Sequence, residues 1–122
     1  MSWTAALMVF VGGGLGSLLR FSAQLLVSGG QLFPWATLGI NIAGSFAIGL
    51  VWAAHADTHW FLDWGRYLLV VGVLGGFTTF STFSLDTLLL YEQGRLYAAA
   101  GYAAASLLSC VLAVYVGHRL LA

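Results

Sequence analysis

Residues 75–84 read Gly75-Gly76-Phe77-Thr78-Thr79-Phe80-Ser81-Thr82-Phe83-Ser84, and the run stands inside an otherwise apolar stretch. Paired glycines weaken a helix, and threonine and serine hydroxyls compete for its backbone hydrogen bonds. Seven such residues in ten positions predict a helix broken near its centre. The alternative is a continuous helix whose hydroxyls bond back to their own carbonyls while the phenylalanines face lipid. The surroundings decide what a break would mean, because irregular backbone at membrane depth persists only inside protein or beside a water-filled cavity.

Composition sets those surroundings. Of 122 residues, 61% are hydrophobic and 7% are charged, against about 45–50% and about 25% in soluble domains. The charged residues are Arg20, Asp57, Asp63, Arg66, Asp86, Glu92, Arg95 and Arg119, too few to cover a water-facing surface. A soluble globular domain is excluded. The formal net charge is zero, so nothing electrostatic argues for nucleic acid or an anionic lipid surface. The lone Cys110 excludes an intrachain disulfide. The composition is that of a small all-α membrane protein whose solvent is the lipid bilayer.

The charges also mark the crossings. Uncharged runs cover 1–19, 21–56, 67–85 and 96–118, and a helix needs roughly 20 apolar residues to span the hydrocarbon core. The long second run is divided by Ser28-Gly29-Gly30-Gln31 and then Pro34, a turn followed by a helix start. Four transmembrane helices are expected, at about 4–27, 33–55, 64–91 and 95–120, forming one domain over residues 1–122 with no signal peptide. Trp3, Trp35, Trp60 and Trp64 fall at the expected span ends, where indole rings favour the headgroup region.

Orientation is balanced. Arg66 and Arg119 fall on one side and Arg20 and Arg95 on the other, so the positive-inside rule gives no preferred direction. One reading is dual topology, with upward and downward copies pairing as an antiparallel homodimer. The other is that Arg20 lies inside a helix end and the balance carries no information. A four-helix bundle fills its centre with its own side chains, so an ion path favours a second copy. Gly12 with Gly16, Gly13 with Ser17, and the row Gly39, Ala43 and Ala47 offer close helix contacts within the bundle or between copies.

No span carries a carboxylate at its centre, although coupled carriers use an ionisable group in the membrane. There is no Ser/His/acid set or metal-ligand cluster, and Gly12-Gly13-Gly14-Leu15-Gly16 does not follow a strand, so an enzyme is not expected. The polar residues of the spans suit conduction instead. At about 100° per residue, Phe80 and Phe83 lie about 60° apart, while Thr78, Ser81 and Thr82 fall within about 100° on another face. Ring edges are electropositive. With hydroxyls and an amide they can replace water around a small anion without trapping it, as conduction requires. Asn41 is the one amide deep in the second span, with Ser45 a turn later, and Tyr102, Ser106, Ser109 and Cys110 form a weakly polar strip in the fourth. Asn41 has an alternative role as an interhelical hydrogen bonder. Arg20 either draws anions to a vestibule or snorkels to the interface.

Gly12-Gly13-Gly14-Leu15-Gly16-Ser17 with Arg20, Gly39-Ile40-Asn41-Ile42-Ala43-Gly44-Ser45, and Gly75 to Ser84 together resemble the CrcB family of small bacterial fluoride channels, also called Fluc. The resemblance implies an antiparallel dual-topology homodimer in a prokaryotic inner membrane, with two fluoride pores and a structural sodium ion at the dimer centre. It implies that Gly75 and Thr78 offer backbone carbonyls to sodium and that Phe80 and Phe83 turn ring edges to fluoride. It further implies that Asn41 donates to fluoride, that Thr79, Ser81 and Thr82 complete the polar lining, and that Tyr102 and Ser106 neighbour the path. The activity implied is passive fluoride export, which lowers cytoplasmic fluoride.

Two other functions fit a chain of this size. A small dual-topology multidrug exporter needs a glutamate in its first span, and residues 1–19 hold no acid. A non-transporting scaffold subunit explains the glycines but gives the hydroxyl run no purpose.

Overall fold

The computed structural model describes residues 2–27, 29–30 and 32–122. Of the expected turn at residues 28–31, Ser28 and Gln31 lie outside the described residues. The described chain is helical along its long apolar stretches except at residues 78–79, as expected where backbone groups must be satisfied without water. Helices α1 (Trp3–Val27), α2 (Trp35–His55) and α5 (Leu96–Leu121) are single rods. Between α2 and α5 lie α3, residues 61–77, and α4, Phe80–Glu92. Within α3, Phe61–Gly65 and Tyr67–Leu74 are wound as π-helix and Gly75–Phe77 as α-helix. Four stretches, Trp3–Val27, Trp35–His55, Phe61–Glu92 and Leu96–Leu121, are long and apolar enough to cross a bilayer. The protein is a multi-pass membrane protein.

Small residues decide which helices pair. A Cβ added at Gly12 would meet Leu68 and Gly72, and one added at Gly16 would meet Val73 and Phe77. Gly76 faces Gly13 in turn, so α1 and α3 run side by side in the same direction with backbone nearly touching backbone. Gly49 of α2 faces Val114 and His118 of α5, and Gly117 of α5 faces Phe46 and Leu50. The pair α2 and α5 is likewise parallel. First with third and second with fourth running parallel is what four alternating crossings produce. Gly12 and Gly16 thus serve packing within the chain, whereas Gly39 and Ala43 face outward.

The α4–α5 connection turns on Gly94, whose φ of +76° is open to glycine. Its N–H bonds the Tyr91 carbonyl and that of Arg95 bonds the Leu90 carbonyl, each at 3.0 Å, a Schellman closure that satisfies the end of α4. The turn returns α5 against α4, where Phe83, Leu90, Ala99 and Tyr102 form a buried cluster flanked by Phe33 and Leu38.

Candidate functional site

Helical winding stops at Phe77 and resumes at Phe80. Thr78 (φ −82°, ψ 158°) and Thr79 (φ −151°, ψ 114°) between them are extended. A helix end orphans backbone groups, and at this depth each needs a partner. Thr78 spends its N–H and its hydroxyl on the Leu74 carbonyl, at 3.0 and 2.9 Å. The Thr79 N–H donates to Asn41 Oδ1 at 2.8 Å, and Asn41 Nδ2 donates to the Thr79 carbonyl at 3.0 Å. One side-chain amide therefore takes both backbone groups of Thr79, as a neighbouring strand would. Thr79 Oγ1 caps α4 by accepting from the Thr82 N–H at 3.1 Å and lies 3.4 Å from Ser81 Oγ. Arg20 Nε donates to the Gly76 carbonyl at 3.0 Å.

These diversions take the helical partners from the carbonyls of Gly75 and Thr78. The helical partner of Gly75 would be the N–H of Thr79, which Asn41 holds, and that of Thr78 would be the N–H of Thr82, which Thr79 holds. Asn41 has two N–H donors on Nδ2, and one is used on Thr79. Among the described residues the other has no hydrogen-bond partner.

The extended pair borders a cavity of about 320 Å³ lined by Asn41, Ser45, Gly75, Thr78, Thr79, Phe80, Phe83 and Ser106 among mostly apolar neighbours. No charged side chain lines it. Phe80 and Phe83 sit with ring centroids 5.3 Å apart and planes tilted by 55°. Phe83 is 9% exposed and packed on Tyr102, whereas Phe80 is 72% exposed on the outer face. Ser106 Oγ is enclosed and has no hydrogen-bond partner among the described residues. A buried hydroxyl without a partner asks for a polar guest.

The expected common face of Thr78, Ser81 and Thr82 is corrected by the structure. That reading assumed unbroken winding, and the extended pair intervenes. Thr78 lines the cavity beside Asn41, Ser81 is exposed, and Thr82 lines a separate cavity of about 420 Å³ with Pro34, Thr37 and Asp86. Tyr102 is fully buried, donates its hydroxyl to Asp86 Oδ2 at 3.1 Å and meets Phe33 edge to face at 5.4 Å. Asp86 lies on α4, the last helical stretch of the third crossing. Arg20 sits inside α1 at the level of Gly76, a helical placement that agrees with the expected span at 4–27. Its contact with Gly76 was not readable in advance, because partners 56 positions apart leave no local pattern.

A family described as "CrcB-like protein, Camphor Resistance (CrcB)" matches residues 7–118. The chain belongs to the CrcB family. A fluoride-specific ion channel FluC of Rhodospirillum centenum is 44% identical, the match covering 94% of this chain and 93% of that one. One of Opitutus terrae is 45% identical over 92% of this chain and 88% of its own. One of Nitrobacter winogradskyi is 43% identical over 98% and 97%. These relatives are named as channels and not as enzymes.

Proposed function

We propose that this CrcB family member is a fluoride-selective channel giving passive fluoride export across a prokaryotic inner membrane. The observation that carries the reading is an uncharged cavity bordered by the extended Thr78-Thr79 pair, with the Asn41 amide and the Phe80 and Phe83 rings on its wall. Fluoride holds its hydration shell tightly, so a path must replace that shell with donors already in place. The second Nδ2 hydrogen of Asn41, the Ser106 hydroxyl and the electropositive ring edges supply such donors. No fixed cation lines the cavity to hold the ion, which favours passage over capture. Thr79, Ser81 and Thr82 secure the start of α4 and so set where the rings stand. Tyr102 anchors Phe83 from behind, and Arg20, one turn after Gly16, raises the local potential for anions on the approach.

The working unit in this proposal is an antiparallel dual-topology homodimer with two pores. Its support is the exposed Phe80 and the exposed Gly75 on either end of the interrupted stretch, which a second copy would cover. The free carbonyls of Gly75 and Thr78 fit a structural sodium ion at that meeting point. They are neutral oxygens released from helical bonding, the donor type that unwound spans use for sodium. Bound there, the ion would supply a positive charge binding the two copies' interrupted helices together.

The test is fluoride efflux from liposomes holding the purified protein, read by a fluoride electrode with chloride as control. Rapid fluoride loss with little chloride loss, abolished by Phe80→Ile, is the expected result. Because Phe80 is 72% exposed in one chain, that variant should fold. No efflux from well-folded parent protein would overturn the reading.

A further inference from the structure

Cys110 is the single cysteine of the chain. It lies on α5 one turn after Ser106, is half-buried, and lines the same cavity as Asn41, Thr79, Phe83 and Ser106. Leu107 and Val111 are its neighbours on that wall. Among the described residues its sulfur has no hydrogen bond or disulfide to explain its place. A half-buried cysteine alone says little. The second observation is Ser106, which lines the same cavity, is 7% exposed, and has an enclosed hydroxyl with no hydrogen-bond partner among the described residues. Nearly all such groups in folded proteins have a partner, so this hydroxyl, one helical turn from the thiol, calls for a polar guest. The cavity, at about 320 Å³, exceeds the roughly 30 Å³ share of one water many times over. It can admit a small molecule as well as an ion.

We infer that Cys110 is a modification site in this cavity, where a small neutral thiol-reactive electrophile of the thiosulfonate class forms a mixed disulfide and closes the path. The inference rests on the cavity being the fluoride path. The chemistry needs no other reagent. The Cys110 thiol gives its proton to water, and the thiolate attacks the divalent sulfur of methyl methanethiosulfonate. A new S–S bond forms as the S–SO2 bond breaks, and methanesulfinate leaves with the bonding pair. The thiol sulfur is oxidised to the disulfide level and the thiosulfonate is reduced to sulfinate. The added thiomethyl group then occupies space that the Ser106 guest needs.

The experiment treats the reconstituted full chain with methyl methanethiosulfonate and reads intact mass and fluoride efflux together. One adduct per chain is expected, with efflux falling about ten-fold or more and returning after dithiothreitol. Excess sodium fluoride should slow the adduct, because the ion and the reagent share the cavity. Cys110→Ser, or Cys110→Ala where the serine variant folds poorly, should take no adduct and conduct equally with and without the reagent. An adduct that forms only after unfolding in dodecyl sulfate would overturn the site, as would an adduct that leaves efflux unchanged. Should the parent carry no fluoride, the channel reading fails separately. The mass readout then decides the site alone, with one adduct on the folded chain for it and no labelling of the folded chain against it.

Discussion

Gly16 and Arg20 are one turn apart on α1, yet they meet α3 in opposite ways. At Gly16 the two backbones touch through the absence of a side chain, and a Cβ there would run into Val73 and Phe77. At that contact α1 supplies only space. At Arg20 the neighbouring helix is ending, and the Gly76 carbonyl takes a long charged side chain instead. Asn41 does the same for Thr79 from the other side. Where a membrane helix satisfies itself, small residues suffice to pack it. Where it stops, polar side chains from neighbouring helices must take over its backbone groups. Arg20 and Asn41 stand inside the spans where this backbone needs them, and the cavity borders that point.

The contrast can be broken by substitution, and the asparagine should matter most. Asn41→Ala strands both the N–H and the carbonyl of Thr79, which is 8% exposed. At about 1–3 kcal/mol per unsatisfied group, it should lose about 2–6 kcal/mol, read as a lower unfolding temperature in detergent. Arg20→Ala removes a charged donor from the Gly76 carbonyl and should cost about 1.5–3 kcal/mol. Arg20→Lys keeps the charge without the fixed Nε–H direction and should recover part of that loss in the same assay. Gly16→Ala tests the other side. Its Cβ would sit 2.8 Å from the Phe77 nitrogen, an overpacking worth about 1–3 kcal/mol. Gly14→Ala meets nothing within 4 Å and should stay within about 0.5 kcal/mol of the parent. If Gly14→Ala and Gly16→Ala behaved alike, the seam would not lie where the structure puts it.

Much of the architecture was legible before any coordinates. Charge spacing marked four apolar helices because a bilayer tolerates so few charged residues that the exceptions bracket the crossings. The glycine and hydroxyl run at 75–84 pointed to irregular backbone, and extended Thr78 and Thr79 lie within it. The partners of the polar residues were not legible. Asn41 had two candidate roles, an interhelical bond and a donor to an ion. The structure shows the bond to Thr79 and leaves one N–H over. The common face assigned to Thr78, Ser81 and Thr82 failed because helical-wheel angles do not carry across an extended pair. They do not carry across π winding either, where bonding shifts to i→i+5. Tyr102 and Asp86 looked unrelated because the Gly94 turn that brings α5 back onto α4 sets their meeting.

The central claim is that the cavity held by Asn41 at the extended pair is the route of the ion. Fluoride efflux from Asn41→Ala, normalised to folded protein and run beside Gly14→Ala, tests it most directly. The account predicts that Gly14→Ala conducts like the parent while Asn41→Ala, even when cooled to a temperature at which it stays folded, loses fluoride efflux. Parent-like fluoride efflux through folded Asn41→Ala would contradict it.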